Sequence, residues 1–169
     1  FDSKYRYADK TVGSYGHPVP LVAGEEQVAE VQAASRIVHT AFTGLKDEMT
    51  LDISAPYNVP QLKKLERTME YSRNGKGSVT FSDNFDFSTP EAFETAIITR
   101  AEWVKTSGNS ISLSRGNEKM KVTFSSPGNV LTLRHEEISE GGKPYSRIGI
   151  AIDKPVTTGR IIITYEAMN

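Results

Sequence analysis

Between residues 74 and 144 the chain is cut by turn-forming clusters at short intervals, and this rhythm limits its fold more than any other feature. The clusters are Asn74-Gly75-Lys76-Gly77, Ser107-Gly108-Asn109, Arg115-Gly116-Asn117, Pro127-Gly128-Asn129 and Gly141-Gly142-Lys143-Pro144. Gly supplies the positive φ that tight reversals need, and Asn and Pro favour the remaining turn positions. Between them the sequence alternates apolar and polar residues, as in Ser78-Val79-Thr80-Phe81-Ser82-Asp83, Met120-Lys121-Val122-Thr123-Phe124 and Ser146-Arg147-Ile148-Gly149-Ile150-Ala151-Ile152. A period of two puts alternate side chains on opposite faces, which is the pattern of half-buried strands.

The hairpin signal at residues 74–77 also settles an ambiguous segment. Leu62, Leu65 and Met69 are spaced for a helix, whereas Leu65, Arg67, Met69 and Tyr71 alternate as a strand. A hairpin needs a strand on each side, so the strand reading is taken. Further strands are expected at residues 5–8, 19–22, 28–42, 49–54, 92–99, 103–105, 111–113, 130–135 and 160–165, with breaks at 55–60 and 88–90. The alanines of 29–41 would suit a helix, but Gly24 ahead, Gly44 behind and the β-branched residues between favour strand. The expected fold is therefore all-β: an antiparallel β-sandwich of about ten to twelve strands, one domain over residues 1–169.

Composition narrows the function. A net charge of -1 gives no electrostatic reason to expect nucleic acid or an anionic membrane as partner. With no cysteine, disulfides, thiolate zinc sites and thiol nucleophiles are excluded. No apolar run approaches the roughly 20 residues of a membrane span. Neither a Gly-x-Ser-x-Gly elbow nor a phosphate or dinucleotide loop occurs. The first residues do not resemble a signal peptide and there is no initiator methionine. A mature or excised piece of a longer protein is expected.

Residues 13–27 are the stretch that most looks like a site. It holds His17, one of three histidines, between Gly16, which allows close approach, and Pro18, which stiffens the exit. A ring held on so fixed a backbone suits a metal ligand or a proton carrier; it equally suits a turn histidine bonded to a nearby carbonyl. Elsewhere, His135-Glu136-Glu137 puts His135 and Glu137 on one strand face, but reads as a polar strand end. His39, among Ile37, Val38 and Phe42, is expected to be partly buried. Asp83 and Asp86 are expected to flank a turn, and Asp52 to pair with a cation such as Arg67. Trp103 and Tyr5, Tyr7 and Tyr15 could stack on sugars, or simply fill a core.

Arg6-Tyr7, Ser14-Tyr15-Gly16-His17-Pro18 and Ala23-Gly24-Glu25-Glu26-Gln27, followed by Asp52, Ala55, Tyr57 and Arg67, resemble the C-terminal part of the heparinase II/III-type polysaccharide lyases. The motif match covers roughly the first 70 residues, the remainder matching in strand rhythm. That family joins an N-terminal helical toroid to a β-sandwich and cleaves uronic-acid polysaccharides by β-elimination. The resemblance implies that this chain is the sandwich alone, inactive by itself, since the family's catalytic tyrosine and asparagine or histidine lie in the helical domain. It implies a polysaccharide and that helical domain as partners, a periplasmic or secreted location, and Tyr15, His17 and Arg6 as residues facing the sugar cleft. It further implies that His17 is a ligand of a structural metal ion, zinc or calcium, in the intact protein, with no cofactor in the isolated chain. The family's opening sandwich strands are absent here, so an unpaired edge near residues 5–22, and a homodimer through it, are expected. The alternative is a stand-alone carbohydrate-binding sandwich without chemistry; a third possibility is a purely structural domain.

Overall fold

A computed structural model describes residues 10–29, 33–106, 108–139 and 144–168. Among these residues the fold is a sandwich of twelve strands in two antiparallel sheets. The strands are β1 (Leu21–Val22), β2 (Arg36–Phe42), β3 (Lys46–Asp52), β4 (Leu62–Ser72), β5 (Ser78–Glu91), β6 (Phe93–Thr99), β7 (Glu102–Lys105), β8 (Ser110–Arg115), β9 (Glu118–Ser125), β10 (Leu131–Ile138), β11 (Tyr145–Ile152) and β12 (Val156–Met168). The small sheet runs β1-β6-β11-β10 and the large one β2-β3-β4-β5-β12-β9-β8-β7. The expected all-β sandwich is borne out, and Gly75, Gly77, Gly108, Gly116 and Gly128 adopt the positive φ that the turn signals required.

The core lies between the sheets. Phe93 and Ile97 of β6 and Ile148, Ile150 and Ile152 of β11 meet Leu65, Phe85, Ile161, Ile163, Val122, Phe124 and Ile111 of the large sheet. Phe85 stacks on Phe93 with ring centroids 3.9 Å apart. Each such side chain removed from water contributes about 1.5–3 kcal/mol. On the large sheet's inner face, the β2 end extends past this core, leaving Ile37 and Phe42 61% and 68% exposed.

Several local expectations are corrected. Of the described residues in 28–42 only Arg36–Phe42 is strand, because pairing with β3 begins at Arg36. His39 is exposed, since β2 pairs on one side only, and it faces Glu48 at 3.6 Å. Of residues 19–22 only Leu21–Val22 is strand: Pro18 and Pro20 have no N–H to give a ladder, and their carbonyls accept from side chains. The turn expected at residues 88–90 is instead a bulge within β5. Glu91 pairs with Val156 and Asp86 with Thr158, so residues 87–90 form a bulge opposite a single β12 residue and Pro90 is accommodated. Asp83 and Asp86 are accordingly strand residues, not turn residues. Arg67 pairs with Asp83 rather than Asp52, because Asp83 sits directly across from it on β5. Asp52 turns to Arg36 and to the backbone N–H of Ser54. The strand expected at residues 5–8 lies outside the described residues.

Candidate functional site

The site grows from one face of the small sheet. Phe93, Thr95 and Ile97 point into the sandwich, so Glu94 must point outward by strand alternation, as must Arg147 and Gly149 of β11 and Arg134 and Glu136 of β10. These outward residues are not all exposed. Arg147 and Glu94 have side chains only 3% and 8% exposed and make a 2.5 Å ion pair. Glu94 can lie flat because Gly149, beside it, has no side chain: a Cβ there would stand 2.6 Å from the carboxylate. Arg134, largely exposed, approaches the other Glu94 oxygen at 3.6 Å.

What covers this face is the segment at residues 10–20, a strap containing one 3-10 turn at Ser14–Gly16. Tyr15 docks it. Its ring lies over the Arg147 guanidinium at 4.2 Å, its hydroxyl donates to Glu136 at 2.6 Å, and its carbonyl accepts from Arg147 Nε at 3.1 Å. Lys10 also pairs with Glu136. Gly16 is obligatory for closeness: a Cβ would meet the Lys10 carbonyl and the Tyr145 hydroxyl. The strap's far side is tied to residues 25–27, where Tyr15 N–H donates to Glu26 and Gln27 N–H donates to Ser14 Oγ, both at 2.9 Å. Its exit is held from inside the sandwich. Arg67, in a two-point pair with Asp83, donates to the Pro18 carbonyl, and Tyr57 donates to the Pro20 carbonyl at 2.7 Å.

Electrostatics follow from these contacts. Burial, together with its bond to Glu136, raises the pKa of the Tyr15 phenol, so it remains a donor at neutral pH. Hydrogen bonds from Lys10 and then Tyr15 hold the Glu136 carboxyl below the usual carboxylate range. Neither group is a free base.

Tyr15 and His17 are neighbours in sequence but serve different recesses. Tyr15 lines one of about 180 Å³ with Leu21, Glu94, Arg134, Glu136 and Arg147. His17, exposed, lines an open groove of about 740 Å³ with Ser14, Pro18, Glu26 and Gln27 among others. Arg6 lies outside the described residues. Among the described residues no three His, Asp or Glu side chains gather as a metal site, and the nearby Glu26 carboxylate is engaged by Ser14 and Tyr15. His17 therefore has no ligand set among them.

His135 and Glu137, with Trp103, line a third recess of about 360 Å³. There Trp103 meets the His135 ring edge-on at 5.0 Å, and His135 Nε2 lies 3.0 Å from Ser146 Oγ. Trp103 packs only partly against the core. Reading the sequence did not single out Glu94, Arg134 or Arg147. The available signal was Arg147 inside an otherwise apolar strand with a glycine two residues on, the mark of a charged side chain lying over a bare backbone.

No family model matches the chain, and no curated protein matches it. Solved structures do. A heparinase III structure matches with a TM-score of 0.74 and 16% identity, covering 100% of this chain and 26% of that one. The heparan sulfate lyase HepC from Pedobacter heparinus matches with a TM-score of 0.74 and 10% identity, covering 94% of this chain and 25% of that one. The chain thus spans about a quarter of the length of those it resembles, and its fold is the one they contain. The resemblance expected from residues 6–67 is borne out at the level of fold.

Proposed function

We propose that the chain is the non-catalytic sandwich of a heparinase-like polysaccharide lyase and that its strapped small-sheet face supports the substrate cleft of the longer protein. The observation that carries this is the match of the entire chain to about a quarter of a heparinase III chain. β-Elimination requires a base for the proton beside the uronate carboxyl, an acid for the leaving oxygen and a neutraliser for the carboxylate. Tyr15 is bound to Glu136 as a donor and His17 opens into a different recess, so among the described residues these two are not aligned as acid and base, which supports the reading. The site has cations and an aromatic surface, which suit holding an acidic sugar.

In this reading Tyr15 and His17, with Arg6, face the polysaccharide; the helical domain of the same protein supplies the chemistry, and the location is periplasmic or secreted. A structural zinc or calcium at His17 would take its other ligands from outside the described residues. Self-association through β1, the strand at one edge of the small sheet among the described residues, belongs to the same proposal. A stand-alone carbohydrate-binding module is the second reading, favoured by the Trp103–His135 recess, where an indole and polar groups meet as sugar sites require. Incubation of the chain with heparan sulfate and with unsulfated heparosan tests inactivity. No ultraviolet-absorbing unsaturated uronate is expected, and its steady appearance would contradict the assignment.

A further inference from the structure

Arg147 Nη2 is buried and has no hydrogen-bond partner, the one such side-chain nitrogen or oxygen among the described residues. Its Nη1 is taken by Glu94 and its Nε by the Tyr15 carbonyl. Leaving a buried charged donor unmet costs about 1–3 kcal/mol or more, so such a group marks a place built for an acceptor. Arg147 lines the recess of about 180 Å³ together with Arg134 and Tyr15. The two carboxylates in its wall are already engaged, Glu94 by Arg147 and Arg134, Glu136 by Lys10 and Tyr15. Arg134 and Arg147 thus match the two carboxylates of the wall in formal charge, but Nη2 is still left without an acceptor.

We propose that this recess is an oxyanion subsite, taking a sulfate or carboxylate group between Arg147 Nη2 and the Arg134 guanidinium. A planar guanidinium with one arm committed and another free presents a directed donor, and Arg134, mostly in solvent, can swing to close on the ligand. The oxyanion chemistry stands on the recess itself; only its supply from an acidic sugar unit rests on the proposed function.

The test is nitrogen-edited NMR of the arginine side chains during titration with sodium sulfate, with glucuronate and with a heparan sulfate oligosaccharide, each against chloride at equal ionic strength. Saturable shifts of Arg147 by sulfate and glucuronate, weakened about fivefold or more in Arg134→Ala, are expected, because a charge-assisted contact is lost. Arg134 is exposed, so this variant keeps the fold; Arg147→Lys is the companion that removes the fork. Shifts that follow ionic strength alone, or sulfate affinity unchanged in Arg134→Ala, overturn the subsite. Sulfate binding without oligosaccharide binding supports the subsite while counting against the glycan reading. Oligosaccharide binding indifferent to Arg134, with no response to sulfate, overturns the subsite and leaves the glycan reading standing.

Discussion

Arg67 reaches from β4 across to Asp83 of β5 and, with its remaining amine, to the carbonyl of Pro18, forty-nine residues earlier in the chain. This couples the buried interior of the sandwich to the strap that carries Tyr15 and His17. Burial pushes Arg67 toward losing its proton, and the Asp83 carboxylate more than reverses that. Replacing Arg67 by Met leaves Asp83 buried without its partner, and a loss of about 3–5 kcal/mol in denaturant unfolding is expected. The double variant Arg67→Met/Asp83→Leu should recover much of this while still releasing Pro18. Hydrogen exchange in residues 14–22 should then be faster in both variants than in the parent.

Gly149→Ala tests the close approach of Glu94. The added methyl would stand 2.6 Å from the carboxylate, forcing Glu94 away from Arg147 and leaving a buried guanidinium unpaired. A destabilisation of about 2–4 kcal/mol is expected, read as a lowered midpoint of thermal or urea unfolding. An unchanged midpoint would mean that Glu94 moves without consequence and that the Glu94–Arg147 pair contributes little.

The large sheet was readable in the sequence because its hairpins carry their own Asn-Gly and Gly-Asn signals and its strands are half-buried, so alternation shows. The strap was not. Its conformation depends on Arg67 and Tyr57, which lie tens of residues downstream and bond to carbonyls that look the same at every position of a sequence. Residues 88–90 misled for a related reason: Ser-Thr-Pro has the chemistry of a turn, and only the register of β12 makes it a bulge. Tyr15 and His17 were visible in the sequence as part of an unusual Gly- and Pro-flanked stretch. That Tyr15 docks on Arg147 required knowing that β11 lies beneath it.

Two pH dependences follow, with opposite signs. The Glu136 carboxyl is held down by Lys10 and Tyr15, so the attachment of the strap is intact above the ordinary glutamate range and is lost as pH falls through the lowered folded value. Burial raises the Tyr165 phenol to about 12, so its contribution is intact below the ordinary tyrosine value and is lost as pH rises from there toward 12. Exchange of the residue 10–17 amides on acidification, and tyrosinate absorbance on alkaline titration, read the two effects separately. Tyr15→Phe should weaken the acid response without abolishing it, because Lys10 still holds the Glu136 carboxyl, and should leave the Tyr165 response unchanged.

His17→Ala should leave the metal content of this chain unchanged by elemental analysis, since His17 has no ligand set among the described residues. Stoichiometric zinc in the parent chain that disappears on substitution would show that ligands converge on His17 after all.

If the strapped face of the small sheet holds an acidic polysaccharide, backbone amide NMR mapping of a heparan sulfate oligosaccharide on the chain, with Tyr15→Ala as the control, will place it there. Shifts concentrated at residues 10–20, Glu94, Arg134 and Arg147, and reduced in Tyr15→Ala, are the predicted result. Shifts centred on Trp103 and His135, or none at any residue, would contradict it.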